Sequence, residues 1–179
     1  MRKVKAAVGS LLFFALNPGM MGGIVPWLLT HWHSSDPPRA LEVLGGALIV
    51  AGTGMLLATI ARFVLEGSGT PAPVAPTEDL VIGGPYRYIR NPMYLAVLAA
   101  IIGQALLLGR LVLVIYAGLF WLVVASFVWL YEEPTLSARY GEQYAAYQRA
   151  VPGWWPRLRP WSPGPPQTPT AAARLRDTD

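Results

Sequence analysis

The chain has no cysteine and only two histidines, His31 and His33, in 179 residues. The first absence excludes a disulfide framework, a thiolate nucleophile and any Cys-ligated zinc. Two neighbouring imidazoles make a poor metal site by themselves, so no metal is expected. Charge is scarce as well. Charged residues make up 13% of the chain against 54% hydrophobic ones, and the mean hydropathy is +0.40. One soluble core of this size cannot hide that much apolar surface, which points to an integral membrane protein. A net charge of +4 and a pI near 9.6 do not amount to a nucleic-acid footprint, because the arginines scatter at the ends of apolar segments instead of striping one face.

An α-helix rises about 1.5 Å per residue, so crossing a hydrocarbon core takes about 20 mostly apolar residues. Four segments approach that length: 6–29, 41–65, 93–108 and 111–130. Asn17-Pro18-Gly19 and Pro26 interrupt the first, which predicts a kinked or two-piece helix whose freed backbone groups its neighbours must satisfy. Only Gly109-Arg110 separates the third from the fourth, so these two form an antiparallel hairpin. After Pro134, Leu136, Tyr140, Tyr144, Tyr147 and Val151 recur at three- and four-residue intervals. That apolar-aromatic stripe predicts an interfacial helix over 135–151, with Trp154, Trp155 and Trp161 extending an aromatic belt.

The expected fold is therefore an all-α integral membrane protein. Its four transmembrane helices end in a C-terminal helical hairpin and a cytoplasmic interfacial helix, all in one membrane-embedded domain over 1–161. The Gly-, Pro-, Ser- and Thr-rich stretch 66–82 predicts a flexible loop able to fold over a ligand, and the Pro- and Thr-rich stretch 162–179 a disordered tail.

Lysine and arginine stay preferentially in the cytoplasm during insertion. Arg2, Lys3 and Lys5 precede the first span, Arg62, Arg87 and Arg90 surround the middle loop, and Arg139, Arg149, Arg157 and Arg159 follow the fourth span. Arg39 and Arg110 fall outside that set. The bias predicts both termini in the cytoplasm, with the middle loop and the C-terminal segment on the same face. The basic, apolar N-terminus has no persuasive small-residue cleavage site and reads as an uncleaved helix.

Two polar signatures lie at that face: Gly84-Pro85-Tyr86-Arg87-Tyr88-Ile89-Arg90-Asn91-Pro92-Met93-Tyr94 and Tyr131-Glu132-Glu133-Pro134. Asn is a favoured N-cap and Pro fits the first helical position, so the third span is expected to begin at Asn91-Pro92. Its free N–H groups and dipole, flanked by Arg87 and Arg90, suit a carboxylate or phosphate, although the same features belong to an ordinary capped helix. Glu132 and Glu133 close the fourth span, where the dipole disfavours carboxylates. A cationic ligand, or Arg90 and Arg149, would offset that cost; simple solvation is the bland alternative. A zwitterionic cofactor would use both signatures.

In this order the signatures resemble the membrane methyltransferase superfamily that includes isoprenylcysteine carboxyl methyltransferases and phospholipid N-methyltransferases. Gly84 to Tyr94 is similar to that family's arginine-histidine-proline-x-tyrosine motif with its preceding Gly-Pro-Tyr-Arg-Tyr, and Glu132-Glu133 to its paired glutamates. Gly52-Thr53-Gly54 is similar to a glycine motif of the phospholipid branch, though small residues also serve helix packing. The resemblance runs from about the second span to Pro156.

The resemblance implies S-adenosylmethionine bound at the cytosolic boundary, with Arg90, Asn91, Pro92, Tyr94, Glu132 and Glu133 at the matching positions. Tyr86, Tyr88 and Tyr94 would pack around adenine, and Arg90, Glu132 and Glu133 are the candidate catalytic residues. The implied reaction is methyl transfer to an oxygen or nitrogen of a lipophilic substrate entering from the bilayer, at the cytoplasmic face of a bacterial inner membrane. A carboxylate acceptor needs no base, whereas an amine would give its proton to Glu132 or Glu133. The family's frequent histidine is Asn91 here, which removes a titrating imidazole. Asn-Pro-Met-Tyr and Tyr-Glu-Glu-Pro resemble the phosphatidylethanolamine branch. Gly-Pro-Tyr-Arg-Tyr favours an isoprenylcysteine carboxyl methyltransferase-like enzyme, and the branch stays open.

Two rivals are weighed against this reading. A sterol-reductase-like enzyme binding NADPH would ask for more clustered positive charge than Arg87 and Arg90 offer its phosphates. A non-enzymatic four-helix transporter-like protein would carry an acid near mid-membrane, and none of the four spans has one centrally.

Overall fold

The computed structural model describes residues 18–66 and 80–162, without the side chains of 63–66. The basic residues Arg2, Lys3 and Lys5, residues 6–17 of the first span, residues 67–79 of the expected lid and the tail from 163 lie outside the described residues. A π-turn at Met20–Ile24 leads into α1 (Val25–Thr30). Then come α2 (Arg39–Glu66), a 3₁₀ turn at Gly84–Arg87, α3 (Pro92–Leu108) and α4 (Leu111–Phe127), followed by a second π-turn at Val128–Glu132 and α5 (Glu133–Ala150). Among the described residues the fold is all-helical, with no strand.

Among the described residues, two helices are long and apolar enough to cross a membrane, α2 over Arg39–Arg62 and the helical run that starts at Leu111. Their outward faces are apolar and uncovered: Val50 and Leu57 on α2, and Leu119, Leu122 and Val123 on α4, are all exposed. The core helices of a soluble domain would bury such faces, whereas hydrocarbon is their natural surrounding.

α2 and α3 pack antiparallel along a seam of small residues. A Cβ on Gly45 would come within 2.5 Å of the Gly103 carbonyl oxygen, and one on Gly52 within 2.7 Å of the Ala96 oxygen. Backbones that close require hydrogen in place of a side chain, and dispersion between the two surfaces rewards the approach. Gly54, by contrast, faces open space. At one end of the pair the Ser35 N–H donates to the Leu108 carbonyl at 2.9 Å; at the other, Gly84 sits against the Arg62 side chain. The turn from α3 to α4 places Gly109 at φ 64°, a left-handed conformation suited to a helix C-terminus, and closes the expected hairpin.

The broken first helix is held as its prolines and glycines require. Gln104 of α3 donates to the Gly22 carbonyl at 2.7 Å, and the Tyr116 hydroxyl of α4 donates to the Met21 carbonyl at 2.9 Å. Carbonyls loosened by the π-turn thus find partners on neighbouring helices.

The C-terminal part departs from expectation in two ways. The fourth span was expected to stop at 130, before a separate helix over 135–151, yet the helical run passes straight through Pro134. The π-turn at Val128–Glu132 widens the hydrogen-bonding just ahead, and Pro134 falls in the first turn of α5, where its missing N–H is not needed. The Thr135 hydroxyl takes up the Tyr131 carbonyl at 2.6 Å.

The true break is Gly141, at φ 50° and ψ −125°. Fifteen residues of straight helix would separate Glu133 from Gln148 by roughly 22 Å. Instead, Gln148 Nε2 donates to Glu133 Oε2 at 3.1 Å, so the chain folds back on itself at Gly141. The tyrosine stripe is not laid outward either: Tyr144, Tyr147 and Val151 are buried together against Leu80, Ile82, Leu136, Tyr140 and Trp161.

Candidate active site

The first signature enters α3 through a short ordered path. Pro85 is the second residue of the 3₁₀ turn, Ile89 is buried, and Asn91 and Pro92 occupy the N-cap and first helical positions, as their residue types predict. The expected cap, however, is not made. The Asn91 side chain makes no bond to the helix start; its Nδ2 donates instead to the Gly153 carbonyl at 3.1 Å. The donor end of this buried amide is satisfied by a segment distant in sequence, which sets the orientation of the side chain.

Arg90 is the hub. Its Nη1 pairs with Glu133 Oε1 and donates to the Tyr144 hydroxyl at 3.3 Å, while Nε donates to the Val151 carbonyl at 2.9 Å. Its backbone N–H donates to the Pro152 carbonyl at 2.9 Å. The Arg90 and Glu133 side chains are 14% and 20% exposed, dry enough for the pair to matter and wet enough that desolvation does not cancel it. Among the described residues, Nη2 is the guanidinium nitrogen left without a partner.

Beside this pair, the Tyr94 hydroxyl donates to Glu132 Oε2 at 3.0 Å. One bond from Arg90 and one from Tyr94 therefore tie each member of the Glu132-Glu133 pair to the first signature. The helical run does not end with Glu132 and Glu133, so the C-terminal dipole cost expected of them does not apply, and Arg90 pairs with Glu133 as one of the expected compensations. Arg149, the other expected partner, is exposed.

The remaining sequence candidates are spread around this cluster. Tyr86 is partly covered, and its carbonyl accepts the Tyr147 hydroxyl at 2.7 Å. Burial, and next the charge of Glu132, push its phenol well above the ordinary value of 10.0, so it persists as a neutral group. Tyr88 is exposed, and its carbonyl receives the Arg157 N–H at 3.0 Å. Arg87 does not turn toward the acids: its Nε donates to the Trp161 carbonyl at 2.7 Å and its Nη2 to the Ser162 hydroxyl.

Tyr144, Tyr147, Gln148 and Gly153 were not among the sequence candidates. The tyrosines were legible only as an apolar stripe; their hydroxyls, which reach Arg90 and the Tyr86 carbonyl, carry no periodic signal.

A cluster that draws an Asn-Pro helix start and a Glu-Glu pair together, at the open end of a hydrophobic hairpin, is the setting in which comparison with known families becomes informative. The family model described as phospholipid methyltransferase matches residues 41–143. The chain belongs to that family. No curated protein and no solved structure matches it in the corresponding comparisons. As a phospholipid methyltransferase family member, the protein falls within the membrane methyltransferase superfamily that its signatures resemble, and the reductase and transporter readings lose their footing. The matched stretch takes in α2, α3, α4 and both signatures. It stops before Tyr144, so the segment that clamps Arg90 and Asn91 lies beyond it.

Proposed function

We propose that the protein transfers a methyl group from S-adenosylmethionine to an oxygen or nitrogen of a lipophilic substrate at the cytoplasmic face of the membrane. One observation carries this reading: the Arg90–Glu133 and Tyr94–Glu132 contacts gather cationic, anionic and aromatic groups from both signatures into one cluster. A zwitterionic amino acid joined to a nucleoside asks for that set. Glu132 and Glu133 suit its ammonium or ribose hydroxyls. Arg90 and the Asn91-Pro92 helix start suit its carboxylate, and Tyr86, Tyr88 and Tyr94 offer aromatic surface for adenine. When bound, S-adenosylmethionine supplies a methyl group already activated on a positively charged sulfur.

The chain's own contribution is placement. Fixing two reactants in attack geometry removes roughly 7–11 kcal/mol of barrier, so a rigid cluster accounts for much of the rate. For an amine acceptor, Glu132 or Glu133 would take the proton, with the Tyr94 hydroxyl holding the Glu132 carboxylate in place. The four-span, N-in and C-in arrangement fits the arginines. Arg39 and Arg110 lie near the Ser35–Leu108 end of the α2–α3 pair, and the remaining described arginines of α2 and the first signature near the other.

The test is equilibrium binding of S-adenosylhomocysteine to detergent-purified protein, repeated with Arg90→Ala, Glu132→Gln and Glu133→Gln. Binding that weakens in all three supports the reading, and folded parent protein that does not bind ends it. Cysteine labelling that put Tyr94 and Glu132 on opposite sides of the bilayer would also end it.

A further inference from the structure

Three consecutive carbonyls after α5 face two consecutive residues before α3. Val151 O accepts from Arg90 Nε at 2.9 Å, Pro152 O from the Arg90 N–H at 2.9 Å, and Gly153 O from Asn91 Nδ2 at 3.1 Å. The strap that carries them is fastened further along, by the Arg157 N–H to Tyr88 O at 3.0 Å and the Trp161 N–H to Arg87 O at 2.9 Å. Trp154 sets its ring edgewise against Trp121 of α4, with centroids 6.3 Å apart.

With Nε on Val151 and Nη1 on Glu133 and Tyr144, the Arg90 guanidinium plane is fixed in both tilt and direction, and its remaining nitrogen, Nη2, points at Gly153. A Cβ at position 153 would lie 3.2 Å from Nη2 and 3.5 Å from Asn91 Nδ2. Any side chain there would press on Nη2 and only touch the Asn91 amide.

We infer that Gly153 is a positioning residue, and that Val151-Pro152-Gly153 aims the Arg90 guanidinium while the bare α-carbon of Gly153 leaves Nη2 open to an anionic group of the ligand. The inference rests on the proposed binding of S-adenosylmethionine, and it assigns a role to a segment outside the family match. With Nε and Nη1 engaged, Nη2 alone is left to donate to an anionic group, and the strap aims it by removing rotamer freedom that Arg90 would otherwise lose on binding.

The test measures S-adenosylhomocysteine affinity for the purified full chain with Gly153→Ala and Gly153→Val, each also made in an Arg90→Lys background. Gly153→Val is expected to weaken binding about tenfold, the scale of one displaced charged hydrogen bond, and Gly153→Ala by less. Lysine has no Nη2 for the added side chain to meet, so in that background Gly153→Val is expected to change affinity by less than about twofold. An equal loss in both backgrounds would show that the glycine only supports the loop, and unchanged affinity in Gly153→Val would show that it does nothing for the ligand. Either result overturns the inference. If Gly153→Val does not fold, Gly153→Ala carries the same comparison. Parent protein that binds no S-adenosylhomocysteine removes this inference together with the proposed function, whereas parent binding with a failed Gly153 cycle removes this inference alone.

Discussion

The hydroxyl of Tyr94, one turn into α3, donates to Glu132 Oε2 across 3.0 Å, joining residues 38 positions apart in the chain. With the adjacent Arg90–Glu133 pair, it turns two short sequence signatures into a single polar cluster at the end of an apolar hairpin.

Tyr94→Phe removes the donor and leaves the Glu132 carboxylate less well held. A hydrogen bond to a charged group contributes about 1.5–3 kcal/mol, so affinity for S-adenosylhomocysteine should fall roughly 10- to 100-fold. Isothermal titration calorimetry checks it. Glu132→Gln keeps an acceptor for the Tyr94 hydroxyl but loses the charge. The two variants should therefore resemble one another if charge and placement act together.

Arg90→Ala removes the partner of Glu133 Oε1 and leaves the carboxylate with Gln148 at Oε2. The pair is partly covered, so a stability loss of about 1–3 kcal/mol is expected, read as a lowered midpoint in thermal unfolding of micelle-bound protein. Glu133→Gln, which retains an oxygen facing Arg90, should cost less. A larger loss for Glu133→Gln than for Arg90→Ala would contradict this account of the cluster.

Gly52→Val and Gly54→Ala separate packing from composition on α2. The first places a branched side chain where a Cβ alone would come within 2.7 Å of backbone, and the helix pair must separate. The second meets nothing. A stability loss of about 1–3 kcal/mol or more is expected for Gly52→Val, with little change for Gly54→Ala. Size-exclusion profiles and unfolding midpoints together give the comparison.

The Tyr86 phenol titrates above its ordinary value of 10.0 because burial, and then the Glu132 charge, oppose ionisation. In the unfolded chain it ionises near its ordinary value. Its contribution to stability is therefore whole below pH 10.0 and drains away as pH rises toward the folded value. Tyr86→Phe should flatten the fall in unfolding midpoint above about pH 10, since phenylalanine has no proton to lose.

Gly141 adopts φ 50° and ψ −125°, a conformation that costs an L-residue about 1–3 kcal/mol. Nothing crowds its missing side chain, so Gly141→Ala tests backbone strain alone. The expected result is that loss in stability, together with weaker protection of the Gln148 side chain in hydrogen-exchange or crosslinking measurements that report its approach to Glu133.

Much of the hairpin was legible from residue type. Gly109-Arg110 marks its turn, Asn91-Pro92 marks the start of α3, and the interruptions at Pro18 and Pro26 predict a first helix that leans on its neighbours. What the sequence could not convey were choices among competing partners. Asn91 is by type a capping residue, yet a carbonyl 62 positions away claims its amide. Pro134 looks like a helix stop, but the helix accommodates it behind a π-turn, and the interruption lies at Gly141, whose backbone is left-handed in φ. The stripe from Leu136 to Val151 has the spacing of a surface-lying helix. Its tyrosines in fact fold inward on Leu80 and Ile82, because the reversal at Gly141 supplies a protein surface that periodicity cannot foresee.

The carbonyls of Met21 and Gly22 find their side-chain partners 95 and 82 residues later, on Tyr116 and Gln104. Chain order delivers the leading segment before either partner exists, so the bend at Met20–Ile24 gains these two side-chain bonds only once α3 and α4 have been made.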